Sequence, residues 1–264
     1  MICDEIDGLV CDLDGVVYRG DEAVPGSVEA LAELTRRGVR ILYCTNNSRS
    51  TVDGYLEKLH RLGVAADREQ IVTSAVVTAE TLAERGLVPG PVFVVGGEGI
   101  HEELARVGFD LEPGDAAEVV VVGWDPEFDY DAMRRATRAV RAGAALIATN
   151  ADASFPAAGG ALWPGAGAIL ASIERASGES AEVMGKPHRP MMDGVARRLE
   201  GARAIAMVGD RPETDLAGAR SKGWKTILVL SGVVGPNDVA GLQDRPEVVA
   251  RDLAAVVRGE TEGQ

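Results

Sequence analysis

Short apolar runs alternate with segments of helical period along almost the whole chain. The runs that predict strands end at Asp12 and cover residues 39–44, 92–95, 119–122, 145–148, 204–208 and 226–230. Between them, apolar residues recur every three or four positions, as on the buried face of a helix. The first helix is predicted to begin with Ser27 as its N-cap and to end at Gly38. This alternation predicts an α/β fold with a doubly wound, mostly parallel sheet.

The pattern is interrupted near Pro89-Gly90-Pro91, where turn-forming residues cluster. The three strands that follow have helical partners of their own, which is enough for a second, smaller α/β domain. The original pattern resumes near Val183. We therefore predict a core domain of residues 1–88 and 184–264 and an inserted α/β domain of residues 89–183.

Composition and charge narrow the range of partners. The chain has 264 residues, a net charge of -14 and only 4% aromatic residues, which argues against a nucleic acid polymer as partner. An acidic surface also repels phosphorylated metabolites, so binding one requires a cation and local donors at the site. The three cysteines are too few for a disulfide scaffold, and no apolar run has membrane-spanning length. We expect a soluble, cytoplasmic protein that does not contact a membrane.

Two carboxylates follow the first predicted strand directly. In Asp12-Leu13-Asp14, alternate residues of an extended segment project to the same side, so both acids can converge on one ligand. Two such acids repel each other unless a cation, a shared proton or a ligand neutralises them. An acidic turn is the simple alternative, because Asp-Gly pairs are common in turns. The remaining strand ends decide between the two interpretations.

Four polar clusters lie at the carboxyl ends of predicted core strands, the edge where open α/β sheets bind ligands. They are Asp12 with Asp14, Thr45 with Asn46 and Asn47, Lys186, and Asp210 with Asp215. Each cluster alone has a simple explanation as a turn, a solvated loop or a helix start. Their coincidence at equivalent strand ends favours one shared site.

The chemistry of this set fits phosphoryl transfer to a carboxylate followed by hydrolysis. Asp12 is the candidate nucleophile and Asp14 the candidate general acid and base. A Mg²⁺ ion would be held by Asp12, the backbone carbonyl of Asp14 and Asp210, with Asp215 as a supporting acceptor beside it. The remaining phosphate oxygens would be bound by Lys186 and the Thr45 hydroxyl with nearby backbone donors, and Asn46 and Asn47 count among the substrate-binding candidates.

These motifs resemble those of the haloacid dehalogenase-like hydrolases. The resemblance rests on Asp12-Leu13-Asp14-Gly15-Val16, the strand end at Thr45, Gly185-Lys186-Pro187, and Gly209-Asp210 through Asp215. The inserted domain is similar to the α/β cap of subclass IIA, the NagD-type phosphatases. The resemblance implies a Rossmann-like core, the roles assigned above, and hydrolytic turnover, since Asp14 provides a base that activates water.

Several alternatives stay open at this level. A phospho-receiver domain uses similar residues, but its phosphorylated Asp ends a later strand and it has no inserted domain. A catalytically silent protein that binds a phosphorylated metabolite has the same motifs. The expected substrate is glycerol 3-phosphate or 2-phosphoglycolate, with nucleotide monophosphates or sugar phosphates as alternatives. Asn150 and Asp152 are candidates for contacting the leaving group, and the resemblance makes a homodimer possible.

Overall fold

The computed structural model describes residues 2–111, 116–156 and 161–261. Its strands are β1 (Gly8–Cys11), β2 (Tyr18–Arg19), β3 (Glu22–Ala23), β4 (Arg40–Thr45), β5 (Ile71–Thr73), β6 (Val92–Val95), β7 (Val119–Val122), β8 (Ala145–Ala148), β9 (Ser154–Pro156), β10 (Leu162–Pro164), β11 (Glu182–Val183), β12 (Ile205–Gly209), β13 (Lys225–Val229) and β14 (Val248–Ala250). Its α-helices are α1 (Ser27–Arg36), α2 (Val52–Arg61), α3 (Ser74–Glu84), α4 (Glu98–Val107), α5 (Tyr130–Arg141), α6 (Ala166–Ser177), α7 (Arg189–Arg198), α8 (Ala217–Ser221) and α9 (Leu253–Arg258). None of these helices is both long enough and apolar enough to cross a bilayer.

The chain divides into two compact units. The first comprises Met1–Thr45, Asp53–Val72 and Met191–Gln264, and the second comprises Asn46–Val52 and Thr73–Pro190. Parallel sheets flanked by helices form the framework of both units, which confirms the predicted α/β class. The predicted domain boundaries at residues 89 and 183 stay a prediction.

A six-stranded sheet in the order β14-β13-β12-β1-β4-β5 forms the framework of the first unit. Strand β1 pairs in parallel with β12 on one side and with β4 on the other. Every residue of β1 is buried, because helices cover both faces of a parallel sheet. Since β14, β13, β12, β1 and β4 run in one direction, their carboxyl ends lie along a single edge.

A four-stranded parallel sheet in the order β11-β8-β7-β6 forms the framework of the second unit. Strands β6, β7 and β8 coincide with the apolar runs at 92–95, 119–122 and 145–148, which confirms those three predicted strands. Helices α3 and α4 contribute to the core on one face of this sheet, whereas α5 and α6 contribute on the other. The short hairpin of β9 and β10 belongs to the same unit.

Helix α1 starts differently from the prediction. Its N-cap is Gly26, and Ser27 is the first helical residue. The buried Ser27 hydroxyl donates a hydrogen bond to the carbonyl of Val17, 2.8 Å away, instead of capping the helix. A long-range partner has therefore replaced the local bond that the sequence suggested.

Helix α9 is capped by an ionised side chain. The Asp252 carboxylate accepts a hydrogen bond from the backbone N–H of Ala255 at 2.8 Å and one from Arg251 at 2.8 Å. Burial opposes ionisation, but these hydrogen bonds outweigh it and lower the pKa of Asp252 below its usual value. The cap therefore stabilises α9, which packs against α1, most strongly in its charged form.

We expect Asp252→Ala to lower the free energy of unfolding by about 1 kcal/mol at neutral pH, measured by urea unfolding. The isosteric control Asp252→Asn keeps the acceptor and loses less. Folding lowers the pKa of Asp252, so ionisation of this side chain stabilises the folded state. This stabilisation is fully present above the pKa of the unfolded chain, about 4, and is lost as the pH falls through the lower pKa of the folded state. An Asp252→Ala effect that grows as the pH falls below 4 contradicts this assignment.

Candidate active site

The register of the first sheet brings three predicted site residues to one edge. Cys11 pairs with Val208 of β12 and with Tyr43 of β4. The next residue along β1 is Asp12, whose N–H donates to the Val208 carbonyl at 3.0 Å. Asp210 and Thr45 each lie two residues beyond the paired positions of their own strands. Parallel pairing thus places Asp12 between the ends of β4 and β12, at the carboxyl edge of the sheet.

Three buried carboxylates of this unit form a compact cluster. One oxygen each from Asp12, Asp210 and Asp215 lies within 4.8 Å of the others. All three side chains are less than a tenth exposed, so water screens their mutual repulsion poorly. A hard divalent cation prefers oxygen donors of this kind. The sequence predicts Asp12 and Asp210 as metal ligands and Asp215 as a supporting acceptor beside the ion. In the structure, an oxygen of the Asp215 carboxylate lies within the same 4.8 Å of the other two.

Backbone donors hold two of these carboxylates. The N–H of Val233 donates to Oδ2 of Asp210 at 2.7 Å, and the N–H of Arg211 donates to Oδ2 of Asp215 at 3.1 Å. Asp215 lies in a π-helical turn, Pro212–Leu216, directly after the end of β12. Single π-helical turns are frequent at functional sites.

Glycines leave the space that this cluster occupies. A Cβ atom at Gly232 or Gly15 would overlap the Asp210 carboxylate, and one at Gly209 would overlap Asp215. Gly15 also has a φ of 83°, which disfavours other residues. The Ser231 hydroxyl donates to the Gly15 carbonyl at 2.6 Å. Sequence reasoning missed Ser231 and Gly232, although their position just after β13, at the same sheet edge, was a usable signal.

Asp14 differs from the other acids because its residue is exposed. It forms a backbone bridge with Tyr18, a buried residue whose ring lies 3.7 Å from Nζ of Lys58. Burial raises the pKa of the Tyr18 phenol, and the charges of Asp14, Tyr55 and Asp12 raise it further. The neutral phenol thus lies in the field of both predicted catalytic carboxylates.

The remaining predicted residues lie in the second unit. Asn46, Lys186, Asn150 and Asp152 form one hydrogen-bonded group, and Asn46 contacts the other three. Asn47 is exposed, and its Oδ1 accepts the backbone N–H of Arg49 at 2.9 Å. Asp12, Asp14, Thr45, Asp210 and Asp215 thus belong to the first unit, and the other predicted residues belong to the second.

Segment 46–50 packs against glycines at the edge of the second sheet. A Cβ at Gly97 would lie 2.7 Å from Cγ of Arg49, and one at Gly123 would lie 2.7 Å from Oγ of Ser48. Gly99, in the run Gly96-Gly97-Glu98-Gly99, donates its N–H to the Arg49 carbonyl at 2.8 Å. The glycines of this run therefore make room for another part of the chain.

Comparisons with known proteins identify the family. A family model for haloacid dehalogenase-like hydrolases matches residues 9–110, and a second model described as HAD-hydrolase-like matches residues 183–256. An acid sugar phosphatase of Staphylococcus saprophyticus is 34% identical over 249 residues, which cover 94% of this chain and 95% of that protein.

Solved structures extend the likeness to the fold. A 4-nitrophenylphosphatase of Thermotoga maritima superposes with a TM-score of 0.92 at 30% identity, covering 98% of this chain and 99% of that one. A glycerol phosphate phosphatase of Mycobacterium tuberculosis, solved with magnesium, has a TM-score of 0.89 at 34% identity and covers 97% of this chain and 77% of that one. With its motifs, fold and relatives in agreement, the chain belongs to the haloacid dehalogenase-like hydrolases, as a NagD-type phosphatase of subclass IIA that hydrolyses phosphoric monoesters.

Proposed function

We propose that this phosphatase hydrolyses a small phosphomonoester with Mg²⁺ through an aspartyl-phosphate on Asp12, and that glycerol 3-phosphate or 2-phosphoglycolate is its substrate. The observation that carries the proposal is the convergence of Asp12, Asp210 and Asp215 at the carboxyl edge of the first sheet. The glycerol phosphate phosphatase of M. tuberculosis supports the choice of substrate. The acid sugar phosphatase of S. saprophyticus supports a sugar phosphate as the second candidate.

The residues of the cluster fit a magnesium ion. All three side chains offer hard oxygen donors, and three negative charges within 4.8 Å favour a divalent cation. Asp12 and Asp210, with the backbone carbonyl of Asp14, would hold the ion, and Asp215 would support it directly or through water. When bound, magnesium would neutralise the carboxylates and polarise a phosphoryl oxygen.

In the proposed reaction, Asp12 attacks phosphorus and forms an acyl phosphate while the leaving alkoxide takes a proton from Asp14. Asp14 then removes a proton from water, which attacks the same phosphorus and releases inorganic phosphate and the Asp12 carboxylate. The exposure of Asp14 supports this second step, since it admits the water that must be activated. Thr45 and Lys186 are assigned to the phosphate oxygens.

The size of the required acceleration favours several groups acting together. Hydrolysis of a phosphate monoester can need acceleration of up to about 10²¹-fold. One general acid contributes only about 10² to 10⁴-fold. A nucleophile, an acid and base, phosphate donors and a bound ion would therefore act together, and residues of this chain would supply the first three and hold the fourth.

A kinetic panel tests the proposed substrate and the ion together. Purified protein with Mg²⁺ should hydrolyse p-nitrophenyl phosphate, and kcat/KM should be highest for glycerol 3-phosphate or 2-phosphoglycolate. Sugar phosphates and nucleotide monophosphates complete the panel. EDTA should abolish the release of phosphate, and added Mg²⁺ should restore it. A higher kcat/KM for a sugar phosphate would replace the proposed substrate, whereas full turnover in EDTA would refute the metal dependence.

Substitution of the two catalytic candidates tests their roles. Asp12→Asn should abolish turnover because the amide cannot form an acyl phosphate, and Asp14→Asn should lower kcat by about 10² to 10⁴-fold. Asp21→Asn is the matched control, since Asp21 is exposed in the turn between β2 and β3. Circular dichroism should show all three variants folded. Turnover near the wild-type rate in Asp12→Asn would rule out the covalent route.

The glycine beside Asp210 offers a test with a binding readout. Gly232→Ala places a methyl group on the Asp210 carboxylate, so Mg²⁺ should raise the melting temperature of this variant less than that of the wild type. Gly241→Ala is the control, because apart from its own chain neighbours nothing lies within 4 Å of its added Cβ. Equal Mg²⁺ stabilisation of Gly232→Ala and wild type would show that Asp210 does not hold the ion.

A further inference from the structure

Asn46 makes an unusual set of hydrogen bonds to a single residue. Its Oδ1 accepts the backbone N–H of Lys186 at 2.7 Å, and its Nδ2 donates to the Lys186 carbonyl at 3.1 Å. One side-chain amide therefore satisfies both backbone groups of a residue 140 positions away, as a neighbouring strand would. The same Nδ2 lies 3.3 Å from Oδ1 of Asp152.

These bonds occupy both donors of the Asn46 side-chain amide. An amide has two N–H donors and one carbonyl oxygen, and the donors point to Lys186 and Asp152 while the oxygen accepts from Lys186. The backbone carbonyl of Asn46 is also engaged, by Ser74 at 2.5 Å and Asn150 at 2.8 Å. A side chain committed in this way is poorly suited to bind phosphate itself.

Three residues of this hydrogen-bonded group are almost completely buried. Asn46 is 7% exposed, Lys186 4% and Asn150 5%, so breaking these bonds would leave buried polar groups without compensation from water. Gly185 permits the close approach, since a Cβ there would lie 2.6 Å from Oδ1 of Asn46. The absence of a side chain at Gly185 thus allows the Asn46 amide to reach the backbone of Lys186.

We propose that Asn46 is a positioning residue that fixes the backbone of Lys186, and so the origin and direction of the lysine side chain, rather than a ligand of the substrate. The proposal rests on the proposed function, in which Lys186 binds the phosphate. Lysine has a long side chain with many rotamers, so a phosphate contact needs its base fixed. Asp152, which follows β8 in the chain, accepts a hydrogen bond from the same amide and so helps to hold Asn46 in place.

A double-mutant cycle tests this role. The variants are Asn46→Ala, Lys186→Ala and the double variant, with Asn237→Ala as the control because Asn237 is exposed. The readouts are kcat/KM for p-nitrophenyl phosphate with Mg²⁺ and the affinity for inorganic phosphate. Asn46→Ala should lower both by roughly 10 to 100-fold, the loss expected when a binding group is misplaced. In the Lys186→Ala background, the same change should cost less than about threefold, because the groups act as a unit.

The outcomes separate this inference from the proposed function. Equal losses from Asn46→Ala in both backgrounds, or a change below about twofold in the wild type, would overturn the positioning role. If the wild type binds phosphate but does not turn over, the proposed function fails, and the cycle is still read on phosphate affinity. If Asn46→Ala does not fold, Asn46→Ser replaces it in the cycle, since the hydroxyl keeps a polar atom at this position but is too short to bond both backbone groups of Lys186.

Discussion

Three carboxylates are buried together at one edge of the first sheet, and their mutual repulsion constrains the residues around them. Two charges 4.8 Å apart repel by about 3 kcal/mol at an effective dielectric constant near 20, and the cluster contains three such pairs when all are ionised. The chain meets this repulsion with backbone N–H groups from Val233 and Arg211. It also places glycines where side chains would push the acids apart. The remaining repulsion favours a bound cation, so the features that destabilise this edge also create its affinity for one.

In the second unit, the parallel strands also end along one edge, but the polar groups there include amides, hydroxyls and a guanidinium. Glycines at this edge admit segment 46–50 in place of carboxylates. The Ser48 hydroxyl lies 2.8 Å from Oγ1 of Thr149, and the Arg49 guanidinium lies over the Trp124 ring. Polar groups at this edge are thus fixed mainly by each other. Such pre-organisation reduces the entropy lost when a ligand binds.

Much of this architecture follows from local sequence patterns. Strands such as β7, four buried valines, are predictable because each is a continuous apolar run between turns. The hairpins β2–β3 and β9–β10 are not, because strands of two or three residues carry too little periodicity. Helix α3 shows a second limit. Its periodicity predicts a helix, but only tertiary packing reveals that Ala75, Ala79 and Leu82 join the core of the second unit.

In the candidate site, too, local sequence predicts some features and only tertiary structure reveals the others. Asp12, Thr45 and Asp210 could be found from sequence because each follows an apolar strand, and parallel strands bring such positions together without further information. Asn46 is a candidate because it follows Thr45 at a strand end, but its bonds to Lys186 span 140 residues and no local pattern encodes them. A residue type at a strand end therefore indicates which reaction a site can perform. Whether a given polar side chain contacts the ligand or holds its neighbour depends on which of its hydrogen bonds are already made, and only coordinates provide that information.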